Sequence, residues 1–126
     1  MYFVTKTFTF ESAHKLNNYE GVCSRLHGHS YKVEVTLSGP SLNDIGMLVD
    51  FSTIRALAEN LIIVKCDHRY LNDVFPNEVN TTAEVMAKSF FDSFRTIIHK
   101  MGYKCDIYSV KVWETSNNCA EYREVL

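Results

Sequence analysis

Polar and apolar residues alternate through two stretches in the first third of the chain. In residues 5–12 the two phenylalanines fall on one face of an extended strand, and the threonines and the glutamate fall on the other. Residues 29–38 alternate in the same way, and the apolar members are Tyr31, Val33, Val35 and Leu37. A polar loop that contains glycine separates the two stretches. The pattern predicts two strands joined by a loop.

The period changes to that of a helix after Ser52, which is a candidate N-cap. Apolar residues then recur at intervals of three and four, at Ile54, Leu57, Ala58, Leu61 and Ile62. A second, longer helix is predicted from Thr81, because Thr81 and Glu84 have the spacing of a capping box. Its apolar stripe is Met86, Phe90, Phe94, Ile97 or Ile98, and Met101. Gly102 is expected to end it.

Two further strand-like stretches, residues 106–114 and 119–125, complete the chain. The predicted order is therefore ββααββ, in one α+β domain of residues 1–126. Its expected layering is a four-stranded antiparallel sheet covered on one face by two helices. Because the edges of such a sheet are open, we expect several subunits to assemble through strand pairing.

Composition narrows the classes of function. The 126 residues are enough for one hydrophobic core, and 46% of them are hydrophobic. A net charge of -2 gives no basic footprint for a nucleic-acid partner. No apolar run approaches the length of about 18 residues that a transmembrane helix requires, and the first residues lack a signal-peptide pattern. We therefore expect a cytoplasmic protein with neither a nucleic-acid nor a membrane partner.

The four cysteines are Cys23, Cys66, Cys105 and Cys119. In the reducing compartment expected for this chain, disulfide bonds are disfavoured. No two cysteines have the C-x-x-C spacing, which argues against a cysteine-rich structural zinc site.

Two of the five histidines, His27 and His29, flank Gly28. Residues at i and i+2 of an extended backbone project from the same face, and the glycine between them leaves room for a ligand or metal. His14 lies at the end of the first predicted strand and would join them if the first two strands pair. Three imidazoles with one open position are typical of catalytic zinc. The alternative is a polar loop beside a half-buried strand histidine, and the spacing alone leaves both open.

Four other residues are candidates for chemistry. Cys23 lies four residues before His27; a free cysteine is usually a small buried hydrophobe, but a nearby cation or metal would favour its thiolate. Asp67 and His68, at the predicted end of the first helix, form an acid–base pair or complement the helix dipole. Glu114 could accept from two N–H donors of a planar ring, or be a solvated strand end.

Six motifs connect these candidates: FTFESAH, CSRLHGHSY, GMLVDF, CDHRYLND, TAE and VWET. In these motifs and their order, over nearly the whole chain, the sequence resembles the 6-pyruvoyltetrahydropterin synthase and 6-carboxytetrahydropterin synthase family. The resemblance implies the tunnelling fold (T-fold), with subunits assembled into a barrel. It also implies a homohexamer built as a dimer of trimers, with active sites at subunit interfaces.

The resemblance also implies a role for each candidate. It makes His14, His27 and His29 ligands of Zn2+. It makes Cys23 a catalytic residue, with Asp67 and His68 as its partner dyad, and Glu114 the residue that binds the pterin ring. The implied substrate is 7,8-dihydroneopterin triphosphate.

The spacing C-x3-H-G-H and the short chain resemble the bacterial 6-carboxytetrahydropterin synthases of queuosine and 7-deazaguanine biosynthesis. These form 6-carboxytetrahydropterin and release acetaldehyde and triphosphate. Animal-type pyruvoyl enzymes have a longer insertion before His-Gly-His, and a third branch has glutamate in place of Cys23. Two alternatives stay open: a 6-pyruvoyltetrahydropterin synthase, and a non-catalytic zinc domain with Cys23 as fourth ligand.

The chain departs from the family pattern at two positions. Cys66 stands where leucine is usual, and we expect it to fill the core. Thr81 stands where proline is common, and we expect it to cap the second helix.

Overall fold

A five-stranded sheet forms one layer of the protein, which a computed structural model describes over residues 1–124. The strands are β1 (Tyr2–His14), β2 (His27–Gly39), β3 (Arg69–Tyr70), β4 (Asp106–Trp113) and β5 (Cys119–Tyr122). Their order is β3-β1-β2-β4-β5, and neighbours pair antiparallel except β1 and β3, which are parallel. The sheet of one chain is open, with β3 and β5 at its edges.

Helices form the second layer. They are α1 (Phe51–Ala58), α2 (Val64–Cys66), α3 (Leu71–Val74) and α4 (Ala83–Met101). A π-helical turn, Glu59–Ile63, joins α1 to α2, so residues 51–66 form one continuous helical segment. A 3-10 turn, Val22–Ser24, interrupts the loop between β1 and β2.

The core lies between the sheet and the longer helices. The alternating apolar rows of β1, β2 and β4 point inward, and the buried residues of α1 and α4 pack against them. Phe10 and Tyr31 stack across the β1–β2 pair with ring centroids 5.0 Å apart, and Phe90 of α4 meets Phe10 edge-on. The predicted α+β class and two-layer arrangement are confirmed.

The prediction of four strands was wrong by one. β3 has only two residues, and it forms because the chain after α2 runs beside Ser12 and Ala13 of β1. A two-residue strand carries no alternation that a sequence pattern could reveal. β1 is also longer than residues 5–12, because its pairing with β2 runs unbroken from Tyr2–Gly39 to His14–His27.

Both predicted N-caps were also wrong. Asp50, not Ser52, caps α1, and its carboxylate accepts from the backbone N–H and the hydroxyl of Ser52. Thr82, not Thr81, caps α4 by accepting from the N–H of Val85 at 3.2 Å. Gly102 ends α4 in the left-handed conformation, as predicted, with φ 72°.

The last strand is shorter than predicted. β5 ends at Tyr122, and Val125, the predicted end, lies outside the described residues. All four cysteines are free thiols, and Cys66 is buried in the core as expected. Within residues 1–124, no helix is both long enough and apolar enough to cross a membrane.

Candidate metal centre and catalytic groups

Strand pairing brings three histidines together at one end of the core layer. His14 is the last residue of β1 and lies directly opposite His27, the first residue of β2. His29 follows two residues later, on the same inward-facing row as Tyr31. The convergence of the three side chains predicted from the sequence is therefore confirmed.

The imidazoles are close enough to share one ion. One potential ligand atom from each of His14, His27 and His29 lies within 4.8 Å of the others. Their ring centroids are 4.7 to 5.2 Å apart, and each pair of rings meets edge to face. In the part of the chain that the structure describes, the cluster includes no cysteine or carboxylate ligand. Three nitrogen ligands with a remaining open position match the donor set of catalytic zinc.

Hydrogen bonds fix which ring nitrogens can face a metal. Nδ1 of His27 lies 2.8 Å from the backbone oxygen of Arg25, and Nδ1 of His14 lies 2.9 Å from that of Thr81. A carbonyl oxygen only accepts, so both Nδ1 atoms carry the proton and both Nε2 atoms keep a lone pair. Nε2 of His27 and Nε2 of His29 are buried and have no hydrogen-bond partner among residues 1–124. A metal ion would satisfy both orphaned nitrogens, so these residues fit zinc.

Burial favours the neutral form of two of the three histidines. His14 is only 1% exposed, and burial lowers its pKa from 6.5 to about 4. Burial also lowers the pKa of His29, although the nearby Glu114 carboxylate opposes this change. Neutral imidazole is the form that binds a metal, so burial holds His14 and His29 in the metal-binding form at neutral pH.

We expect the metal-free protein to lose stability as the pH falls from about 6.5 to about 4. In that window His14 accepts a proton in the unfolded chain but not in the folded one, so acid favours unfolding. Below about pH 4 this contribution falls no further. Each pH unit between the two pKa values lowers the free energy of unfolding by about 1.4 kcal/mol as the pH falls. Urea unfolding of metal-free protein at several pH values measures the slope.

His14→Gln should flatten that slope, because it removes the titrating group. His99→Gln is the matched control, since His99 is exposed and pairs with Asp106 on the surface. Equal slopes in His14→Gln and in the unmodified protein would contradict the assignment.

Glu114 continues the inward row of β4 beyond its last residue, which brings it to the histidines. Its Oε2 lies 4.0 Å from Nε2 of His29, and its backbone N–H donates to Asn118. The residue borders a surface pocket with Glu84 and Asn118. The carboxylate therefore lies beside His29 in a residue that also borders this pocket, where it can accept from a bound ligand.

Asp67 and His68 form a pair that is clamped to β1. Asp67 Oδ2 lies 3.0 Å from Nδ1 of His68, and Asp67 Oδ1 accepts from the N–H of Glu11 at 2.9 Å. The N–H of His68 donates to the backbone oxygen of Glu11, and this places His68 at φ 55°. The Glu11 N–H, followed by the His68 side chain, lowers the pKa of Asp67. The ionised carboxylate therefore orients an imidazole whose side chain is 78% exposed.

Cys23 lies in the 3-10 turn and is half-buried. The turn is anchored to the end of β1 because the N–H of Leu16 donates to the backbone oxygen of Cys23 at 2.8 Å. Within residues 1–124, no hydrogen bond or ion pair joins the thiol to the three histidines or to Asp67 and His68. The structure thus places Glu114 beside the histidines, and in residues 1–124 neither Cys23 nor the Asp67–His68 pair has a polar contact with that cluster.

Cys66 and Thr81, the two departures from the family pattern, have distinct surroundings. Burial raises the pKa of the Cys66 thiol to about 12, which makes it an unreactive core residue. Thr81 is 1% exposed, and its backbone and side-chain oxygens both contact Nδ1 of His14. The sequence did not predict this contact, and neither did it predict the part of Glu11 in holding Asp67 and His68.

Comparisons with known proteins identify similar sequences. The family model for 6-pyruvoyl tetrahydropterin synthase matches residues 3–125. A 6-carboxy-5,6,7,8-tetrahydropterin synthase from Synechocystis sp. is 36% identical over 126 residues, covering 97% of this chain and 93% of that protein. One from Haemophilus influenzae is 29% identical over 141 residues, covering 98% of this chain and 100% of that protein.

A solved structure matches the fold over nearly the whole chain. The structure of 6-pyruvoyl tetrahydropterin synthase from Caenorhabditis elegans has a TM-score of 0.83 to this chain at 23% identity. The match covers 98% of this chain and 96% of that one, and it confirms the predicted T-fold. Because the family model spans nearly the whole sequence, the chain belongs to the 6-pyruvoyl tetrahydropterin synthase family.

Proposed function

We propose that this protein is a zinc-dependent 6-carboxy-5,6,7,8-tetrahydropterin synthase, a cytoplasmic lyase of queuosine and 7-deazaguanine biosynthesis. It would convert 7,8-dihydroneopterin triphosphate to 6-carboxytetrahydropterin, acetaldehyde and triphosphate. The observation that carries the proposal is the cluster of three imidazoles, two of which have buried Nε2 atoms without a hydrogen-bond partner in residues 1–124, beside the Glu114 carboxylate. The names of the two bacterial relatives and the C-x3-H-G-H spacing support the carboxy product.

His14, His27 and His29 would hold the zinc through their Nε2 atoms. When bound, the ion supplies a Lewis acid that polarises the side-chain oxygens of the pterin substrate. The half-buried flank of the cluster that faces Glu114 is where the substrate would enter. Burial of His14 keeps competing protons off the ligand set at neutral pH.

Proton transfer is assigned to the other two groups. Cys23 would remove a proton from the substrate side chain as the thiolate, which is the reactive form of cysteine. His68 would act as the complementary acid or base, with Asp67 stabilising its charged form through the contact at Nδ1. Its other ring nitrogen, Nε2, is then the atom that exchanges a proton with the substrate.

Glu114 would fix the orientation of the pterin. An ionised carboxylate presents two acceptors, which match a ring N–H and the neighbouring exocyclic amino group. Because Oε2 of Glu114 lies 4.0 Å from Nε2 of His29, Glu114 would hold the pterin ring next to the proposed zinc site.

For Glu114→Gln we expect pterin binding to weaken by about 10- to 100-fold, with zinc content unchanged. The amide places a donor against a substrate donor, and a hydrogen bond to a charged group is worth about 1.5–3 kcal/mol. Titration of the pterin by calorimetry measures the affinity. Glu59→Gln is the control, because Glu59 is an exposed residue of the π-helical turn. Unchanged affinity in Glu114→Gln would remove Glu114 from the site.

We also propose that the chain forms a homohexamer, a dimer of trimers, with active sites at subunit interfaces. Two open sheet edges support this assembly: β5, and β1 from Tyr2 to Glu11, where β3 does not extend. It would also allow Cys23 and His68 to share a site by coming from different subunits. Light scattering coupled to gel filtration tests it, and a monomer would contradict it.

Two alternatives lead to different observations. A 6-pyruvoyl tetrahydropterin synthase would use the same groups on the same substrate and differ only in product; the family model and the C. elegans structure carry that name. A non-catalytic zinc domain would need a fourth protein ligand. The cluster in residues 1–124 contains three histidines without Cys23, which favours an open, catalytic site.

A product assay tests the proposed function. Zinc-loaded protein is incubated with 7,8-dihydroneopterin triphosphate, and the pterin is identified by mass. The proposal predicts 6-carboxytetrahydropterin together with acetaldehyde. A pyruvoyl product would keep the site and change the reaction, and no turnover by zinc-loaded protein would favour the structural alternative.

A further inference from the structure

We infer that Thr81 is a positioning residue for the metal site, and that its hydroxyl and carbonyl oxygens together hold the His14 ring with Nε2 toward the other histidines. The inference rests on the proposed zinc site and adds a residue to it. The sequence predicted that Thr81 caps the second helix, but Thr82 is the cap. Thr81 is also not one of the proposed metal ligands.

The contact involves two oxygens of one residue and a single ring nitrogen. Nδ1 of His14 lies 2.9 Å from the Thr81 carbonyl oxygen and 3.1 Å from its Oγ1. The carbonyl only accepts, so the Nδ1 proton is donated to both oxygens in a three-centre hydrogen bond. This bond sets the tautomer and opposes rotation of the ring. A metal-binding histidine usually depends on such a partner for both.

Burial of both residues makes this hydrogen bond difficult to replace. Both residues are 1% exposed, so water does not replace a lost oxygen freely. Thr81 lies 67 positions from His14 in the sequence and directly before the N-cap of α4. It therefore ties the ligand at the end of β1 to the start of the longest helix, which is packed into the core.

The two adjacent threonines have separate tasks. Thr82 accepts from the N–H of Val85 and caps α4, which leaves the Thr81 hydroxyl free to contact His14. The neighbouring threonine therefore offers a matched control, because its loss affects the helix without touching the histidine.

Zinc affinity, measured by competition with a chromophoric chelator, tests the inference. We expect Thr81→Val to weaken zinc binding about tenfold, the low end of the 10–100-fold typical of outer partners, because the carbonyl remains. Thr81→Ser, which keeps the hydroxyl, should stay within about threefold of the unmodified protein. Thr82→Val should lower the thermal stability and leave zinc affinity unchanged.

A second measurement does not involve the metal. Long-range 1H–15N correlation spectra of the metal-free protein should show His14 with its proton on Nδ1. An Nε2 proton on His14 would overturn the inference. Zinc affinity in Thr81→Val equal to that of the unmodified protein would overturn it too, as would equal losses of zinc affinity in Thr81→Val and Thr81→Ser. If the unmodified protein binds no zinc while His14 shows the Nδ1 proton, the proposed metal site fails instead.

Discussion

Cys23→Ala should reduce turnover of 7,8-dihydroneopterin triphosphate by about 10²- to 10⁴-fold, the usual contribution of a positioned acid or base. Zinc should remain bound, because the cluster of ligand atoms comprises His14, His27 and His29 without the thiol. Loss of turnover with zinc retained would show that Cys23 acts in the reaction and not as a metal ligand. Steady-state kinetics and metal analysis of the same preparation give both readouts.

Cys105→Ala is the control for loss of a thiol. Cys105 precedes β4, at the opposite end of that strand from Glu114, and is 8% exposed. Its removal should leave turnover unchanged. Loss of zinc from Cys23→Ala would make Cys23 a ligand and favour the structural alternative, whereas full activity would remove it from the mechanism.

His27→Ala should weaken zinc binding by more than about 100-fold and abolish turnover. Loss of an outer partner alone typically costs 10–100-fold, and here a ligand itself is lost. His27 is the best choice among the three because it is half-buried, whereas His14 is fully buried and its loss would disturb the core. The expected stability of the metal-free variant is therefore close to that of the unmodified protein.

His99→Ala is the control, because it makes the same substitution at a histidine outside the proposed site. His99 is an exposed histidine of α4 whose Nε2 lies 3.0 Å from Asp106. It should bind zinc and turn over substrate normally. Zinc affinity in His27→Ala equal to that in His99→Ala would contradict the assigned ligand set.

The arrangement of the histidines follows from local patterns. The alternation of polar and apolar residues fixes which side chains of β1 and β2 face inward, and His14, His27 and His29 continue those inward rows. Once the two strands pair in register, the three rings must meet at the same end of the sheet. The sequence therefore predicts that the three histidines converge, with no long-range information beyond one strand pair.

Features that depend on distant contacts escaped prediction. β3 and the left-handed backbone of His68 both arise because the backbone of Glu11, more than 50 positions earlier, bonds to Asp67 and His68. The true cap of α4 was missed because Thr81 and Thr82 are chemically identical candidates. Contact with His14, which only the folded chain provides, distinguishes them.

The lack of a polar contact between Cys23 and the Asp67–His68 pair, within residues 1–124, is likewise not apparent from the sequence. Motif order places all three in one family pattern, yet no polar contact joins them within residues 1–124. Assembly of subunits is the proposed reason, since it would bring groups of different chains together at the open sheet edges.

Zinc dependence of turnover tests whether the three histidines form a catalytic metal centre. The protein is stripped with a chelator, assayed with 7,8-dihydroneopterin triphosphate, then reconstituted with one equivalent of zinc per chain and assayed again. We expect that the stripped protein forms no pterin product and that zinc restores 6-carboxytetrahydropterin formation. Full turnover by protein shown to be free of metal would contradict the assignment of His14, His27 and His29 as the catalytic metal centre.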